Sequence, residues 1–301
     1  MSQSISHESP GDEGAVILLM VVIFTFGSAL PISTINVALP GIANDLGMSA
    51  SSIGWVPLIF LLASVMLVLP CGRLADKYGR IRLFKASIYL VLASGILISF
   101  AQTVPVLLLL RFVQGCAAAV GFVLIITIVS SAIEKPSRGR AFGMIASAMY
   151  FGLTAGPLIA GYLTTYLNWR WTFVVHLPFM LLALLIAQKK VHTEWRIAEY
   201  ERFDWVGSAI YALGIGLVTI AVLRIPSMQS IPLVVVGLIV LTVFVLQQTD
   251  NPQALINITL FVRNRPFTYS CLASMFMYAA NFSSLVLVSL YLQYLKDLPA
   301  E

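Results

Sequence analysis

Between two long apolar runs lies the stretch GRLADKYGRIR, residues 72–82, in which Arg73, Lys77, Arg80 and Arg82 surround the carboxylate of Asp76. A carboxylate so placed can pair with a neighbouring cation or face a helix N-terminus, where negative charge gains about 0.3–1 kcal/mol. Its glycines, Gly72 and Gly79, supply the positive φ or close backbone approach that a tight two-helix connection needs. A basic loop that only holds membrane topology has the same composition. The spacing adds a second reading, a charged latch that holds one conformation and releases it in another. A further candidate is Arg111, followed by Gln114 and Gly115, some six residues inside an apolar run. A mid-helix cation costs about 2.5–3.5 kcal/mol on insertion scales and is a functional candidate by default, whereas one near a helix end snorkels to the interface.

These residues must be positioned by membrane helices. The 301-residue chain is 59% hydrophobic, only 10% charged, and has a mean hydropathy of +0.93, against roughly 25% charged for a soluble domain. A bilayer core of about 30 Å needs roughly 20 apolar residues per helix. Hydropathy predicts spans over 15–38, 53–70, 86–101, 106–130, 141–166, 171–187, 205–223, 231–246 and 267–295. The expected fold is an all-α polytopic membrane protein of about nine transmembrane helices. Residues 1–14 carry Glu8, Asp12 and Glu13 but no Lys or Arg, unlike a cleavable signal peptide, so the first helix is expected to stay.

The formal charge of +5 is explained by where the cations fall. With the N-terminus inside, Arg73 to Lys85, then Lys135, Arg138 and Arg140, then Lys189, Lys190, Arg196 and Arg202, then Arg263 and Arg265 all occupy one side. The other side receives Arg170, Arg224 and Lys296. This is the positive-inside asymmetry, which predicts a multi-pass protein of the cell membrane with a cytoplasmic N-terminus. It leaves a nucleic-acid partner without support. Cys71, Cys116 and Cys271 lie in or beside spans with no CxxC spacing and read as packing residues. Asn257 opens an Asn-Ile-Thr sequon, but on the cytoplasmic side it is a chance match. The expected organisation is a tail over 1–14, a six-helix bundle over 15–187, a polar linker over 188–204, two additional helices over 205–248, a loop over 249–266, and the first helix of a second bundle over 267–301.

Several stretches share one resemblance. Gly72-x-Leu74-Ala75-Asp76-x-x-Gly79-Arg80-x-Arg82 resembles the loop between the second and third helices of the major facilitator superfamily, where it acts as a cytoplasmic gate latch. Arg111, Gln114 and Gly115 match that family's R-x-x-Q-G pattern, which implies a role in proton transfer or in shaping the central cavity. GLTAGPLIAG, residues 152–161, places Gly152, Gly156 and Ala160 on one smooth helix face, with Pro157 as a kink. It resembles the fifth-helix motif of the antiporter branch, which in those relatives forms a tight seam against the second bundle, with Gly161 closing the run. LPISTINVALP, residues 30–40, resembles the first-helix signature of fourteen-helix drug:proton antiporters, and RFDWVG at 202–207 resembles the same subgroup. Where that subgroup carries an aspartate after the leucine, this chain has Pro31. His176 is then a residue able to titrate near neutral pH, although a lone helix histidine is more commonly a packing residue.

The resemblance implies export of drugs or other small amphipathic molecules by alternating access between two bundles, driven by protons, with Asn36, Gln114, Tyr150 and Phe151 in the first bundle's cavity lining. The partners it implies are a small-molecule substrate, protons, the lipid bilayer and a C-terminal half beyond the last helix. A truncated membrane protein that transports nothing, or only binds a partner, is the alternative. No Ser/His/Asp, metal-ligand or phosphate-cradling pattern stands in the loops, so neither enzyme activity nor a cofactor is expected.

Overall fold

The structure is a computed structural model that describes residues 10–196, 203–224, 230–249, 251 and 253–295. In hydrocarbon the backbone must satisfy its own hydrogen bonds, and the described residues form helices without strands. They are α1 (Pro10–Leu46), the short α2 (Ala50–Ile53), α3 (Trp55–Tyr78), α4 (Arg80–Ser99), α5 (Val104–Ala132), α6 (Arg138–Tyr166), α7 (Leu177–Lys190), α8 (Trp205–Leu223), α9 (Ser230–Thr249), α10 (Ile258–Arg263) and α11 (Arg265–Leu295). Among the described residues, eight helices are long and apolar enough to cross a membrane. With α11, 31 residues long, the architecture is the predicted polytopic all-α one.

The helices overrun the predicted spans. α1 continues through Pro31 and Pro40 to Leu46, and Pro70 and Pro157 likewise sit inside α3 and α6. Polar helix ends stay helical outside the hydrophobic window that hydropathy detects. Residues 72–82, read above as a loop, are consequently helix on both sides of a one-residue break at Gly79. The linker expected at 188–204 begins as the last turn of α7 and continues as the ordered segment 191–196, and the loop expected at 249–266 contains α10. Residues 1–9 of the tail, residues 197–202 of the linker with Arg202, and Lys296 with the following residues lie outside the described residues.

Small residues set the helix pairs. On α6, Gly152, Gly156 and Ala160 are buried against α1, and a Cβ on Gly152 would stand 2.8 Å from both the Phe26 carbonyl and the Ala29 Cβ. On α5, a Cβ on Gly115 would run into the Phe60 carbonyl of α3 and lie 2.9 Å from the Ala63 Cβ. Around these contacts two apolar cores form. One holds Phe24, Phe84, Ile88, Leu124, Ile128 and Leu184, with the Phe24 and Phe84 rings 4.7 Å apart. The other holds Ile35, Ile42, Val56, Ile98, Leu107, Trp169 and Phe173. Beyond the second core the chain is tied by Asp45, which accepts from Arg170 Nη1 at 2.7 Å and Trp169 Nε1 at 3.1 Å, while Arg170 Nη2 donates to the Ala101 carbonyl at 3.0 Å.

The α8–α9 hairpin packs against α3, where the Tyr211 hydroxyl donates to the Val65 carbonyl at 3.2 Å. Its polar root is Asp204, only 7% exposed. The carboxylate caps α8 by accepting Gly207 N–H at 2.7 Å, and it also accepts from Gln247, Gln248 and Asn251 at 3.1, 2.9 and 2.8 Å. Gln248 Oε1 in turn accepts the Leu255 N–H. The following carbonyls are held from the bundle, with Arg73 Nη2 donating to Ala254 at 2.8 Å and Nε to Leu255 at 3.4 Å. Burial alone would raise the Asp204 pKa, but these four donors outweigh it and hold it below the ordinary carboxylate value.

Two outcomes follow from this packing. Gly115→Ala lowers the stability of the detergent-solubilised protein by roughly 1–3 kcal/mol through overpacking against backbone. Gly161→Ala stays within about 0.5 kcal/mol, because a Cβ there meets nothing within 4 Å. Thermal midpoints of the two variants check the contrast. For Asp204, a depressed native pKa means the carboxylate stabilises the knot above the unfolded value near about pH 4, and that contribution is lost as pH falls through the lower native value. The protection of residues 253–257, taken as the amide exchange rate relative to the intrinsic rate at each pH, should therefore fall on acidification in the wild type. Asp204→Asn should exchange faster at neutral pH and lose that pH dependence.

Candidate functional site

At the α3–α4 break the residues predicted to form a latch do come together. Gly79 has φ +102°, the left-handed region that favours glycine. Gly72, by contrast, is helical, and its nearest neighbour to a Cβ is Val123 Cγ1 at 4.0 Å, so no special conformation is required there. Asp76 and Arg80 are one helical turn apart in sequence and meet across the break. Arg80 Nη2 and Nε donate to Asp76 Oδ1 at 2.9 and 3.2 Å. The guanidinium then reaches α5, where Nη1 donates to Ser131 Oγ at 2.6 Å and to the Thr127 carbonyl at 3.3 Å. Arg80 thus ties α3, α4 and α5 together at the basic end of the bundle. The Arg82 side chain is exposed. Both bonds from Arg80 fall on one oxygen of Asp76, whose side chain remains 26% exposed.

Arg111 is not a snorkelling residue. It is 1% exposed, and its Nη1 donates to Gln114 Oε1 at 2.7 Å and its Nε to the Val56 carbonyl at 3.2 Å. The guanidinium lies over the rings of Phe60 and Phe173, at 4.7 and 5.6 Å. Among the described residues no carboxylate pairs with it. Hydrogen bonds and ring faces are what offset the several kcal/mol that burying a charge costs. Gly115, one residue beyond Gln114, provides the close α3–α5 approach that carries the Val56 carbonyl to Arg111. Gln114 Nε2 and both ring nitrogens of His176 are buried with no hydrogen-bond partner among the described residues. Asn36, grouped with these residues from the sequence, is instead exposed on α1.

The glycine face of α6 is used inside this bundle, against α1. The opposite side of α6 presents Leu158 and Tyr162, 77% and 64% exposed, and Tyr150 and Phe151 are also exposed. Pro157 lies within the helix, and Gly161 makes no close approach. Between α1, α6 and α7 runs an open groove of about 880 Å³, lined by Val22, Phe26, Met144, Phe151, Phe179 and Leu182, with Arg140 and Ser147 as polar groups.

Sequence reasoning missed four carboxylates with defined work. Asp45 and Asp204 are described above. Glu13 and Glu194 bind the segment 191–196 to the basic end of the bundle. Each sits in a polar stretch that a hydropathy reading treats as connection. A local signal existed only for Asp204, which stands directly before an apolar run as an N-cap would.

A family model described as Major Facilitator Superfamily matches residues 21–300. Among curated relatives, the chain is 28% identical to the multidrug export protein EmrB of Haemophilus influenzae, over 97% of this chain and 59% of that protein. It is 26% identical to the riboflavin transporter RibZ of Clostridioides difficile, over 94% of this chain and 62% of that one. The chain therefore spans about three-fifths of the length of these relatives. A crystal structure of a POT peptide transporter in complex with sulfate superposes with a TM-score of 0.60 at 16% identity, covering 81% of this chain and 57% of that one, which shows a common fold. The break at Gly79, the helix order and the match across nearly the whole sequence agree: the chain belongs to the Major Facilitator Superfamily.

Proposed function

We propose that this chain supplies the first bundle, a two-helix insertion and the opening helix of the second bundle of a proton-driven exporter of small amphipathic molecules. The observation that carries the reading is the Asp76–Arg80 pair at a one-glycine break, joined by Arg80 to Ser131 and Thr127 of α5. On this reading the basic end is cytoplasmic. Asp76 is the latch, with its second oxygen turned to the half of the transporter beyond α11, and Arg80 holds it in place. The exposed Leu158 and Tyr162 face of α6 meets that half, and with Pro157 in the helix the α1–α6 pair moves as one body. Two curated relatives that are transporters, one named for multidrug export, support a small organic cargo. The apolar groove beside Arg140 suits a molecule with an apolar body and a polar end.

Proton coupling has an unusual setting in this chain. Pro31 is buried where the subgroup's first-helix aspartate is expected, so the proposed coupling centre of this bundle is the buried group of Arg111, Gln114 and His176. Arg111 fixes the local charge. Its fork geometry, bonded to Gln114 and the Val56 carbonyl, is one that a lysine cannot reproduce.

The complete polypeptide tests this by ethidium efflux from energised cells or vesicles. Asp76→Asn should reduce efflux by about tenfold or more at normal expression, which corresponds to a loss of about 1.4 kcal/mol of transition-state stabilisation. Unchanged efflux would refute the latch. Arg111→Lys should leave the protein folded but inactive, and collapse of the proton gradient should stop wild-type efflux. Efflux that survives that collapse would exclude proton drive.

A further inference from the structure

α4 starts without a cap of its own. Gly79, which precedes it, has no side chain, and the first bond inside the helix is Leu83 N–H to the Gly79 carbonyl at 3.1 Å. The N–H groups of Arg80, Ile81 and Arg82 therefore need partners from elsewhere. All three are taken by two adjacent residues more than a hundred positions along the chain. The Trp195 carbonyl accepts Arg80 N–H at 3.1 Å, and Glu194 accepts Ile81 N–H on Oε1 and Arg82 N–H on Oε2, each at 2.9 Å. A carboxylate there also meets the positive end of the α4 dipole.

The segment that brings Glu194 is itself anchored. Glu13, at the start of α1, accepts His192 N–H at 3.1 Å and Thr193 N–H at 3.0 Å on Oε1, and the Thr193 hydroxyl at 2.8 Å on Oε2. Val191 is buried, and Trp195 packs against the core that holds Phe84 and Ile88. Gly79 is shaped to this arrangement as well as to its positive φ. A Cβ there would stand 2.7 Å from Glu194 Cδ and 2.9–3.0 Å from its oxygens.

Arg80 is consequently held twice, through its backbone by Trp195 and through its guanidinium by Asp76, Thr127 and Ser131. Where two helices meet at a single glycine, whatever caps the second helix sets the angle between them. We propose that Glu194 is a positioning residue of the gate: it fixes the start and direction of α4 and so aims Arg80 at Asp76. The functional consequence rests on the transporter reading above, whereas the cap itself does not.

Amide exchange by mass spectrometry on the full chain in lipid nanodiscs tests the cap. Glu194→Ala should speed exchange at residues 80–82 about fivefold to tenfold, the scale of a lost helix cap, with no change over 111–129. Glu194→Gln, which keeps one acceptor oxygen, should be intermediate, and it carries the same comparison should the alanine variant fail to fold. In the complete polypeptide, Glu194→Ala should lower the maximal efflux rate about fivefold with KM unchanged, and Glu194→Gln should restore part of it. Unchanged exchange at 80–82 overturns the cap. Faster exchange with unaltered transport overturns the positioning role. A wild-type polypeptide that exports none of a panel of amphipathic dyes overturns the function proposed above, and the exchange comparison then still decides the cap.

Discussion

Three amide N–H groups at the head of α4 have no partner inside their own helix, and the basic end of the bundle is arranged around them. A chain crossing a membrane closes its hydrogen bonds by staying helical, so each interruption must be met by groups brought from another part of the chain. At Gly79 the interruption is one residue long, and two residues of a distant segment meet it. The same break leaves Asp76 and Arg80 on either side of a bend, close enough to pair. Closing the backbone and placing the charges are one solution.

Charged side chains are scarce in this sequence, and several of the described ones are bound to more than one partner at once. Asp204 takes four donors, Arg80 reaches from α4 to two other helices, and Arg170 joins Asp45 to the Ala101 carbonyl. In an apolar surrounding, a charge held by one contact would be a liability, whereas one held by three or four fixes geometry. Arg111 follows the same pattern without a carboxylate among the described residues. It is compensated by a carbonyl, an amide oxygen and two ring faces, beside unpartnered nitrogens of Gln114 and His176. Such a site holds a charge without neutralising it.

Much of this fold was legible in the sequence, because helix count in a membrane follows from runs of apolar residues that local windows detect. Helix ends were less legible. Arg80, Arg82 and Lys77 are too polar for a hydropathy window, yet they continue helices that project beyond the apolar span. Arg111 with Gln114 and Gly115 could be found from composition and spacing, since a lone cation in an apolar run stands out. Glu13 and Glu194 could not. Their meaning lies in pairing across almost the whole length of the first bundle, and each sits in a polar stretch where one more carboxylate carries no local signal. The α6 glycine face was recognisable as a packing surface, but spacing says nothing about which helix it meets. Its partner among the described residues is α1.

The α8–α9 hairpin is tied to the bundle at two heights, by Tyr211 on the Val65 carbonyl and by Arg73 on the carbonyls that follow the Asp204 knot. It is therefore a splint along α3 and not a detachable cassette. Excising it would take from Arg73 the carbonyls it holds and uncover a face of α3 that includes Met66. A shortened version of this chain would turn that apolar face of α3 from a helix contact into a lipid-facing surface.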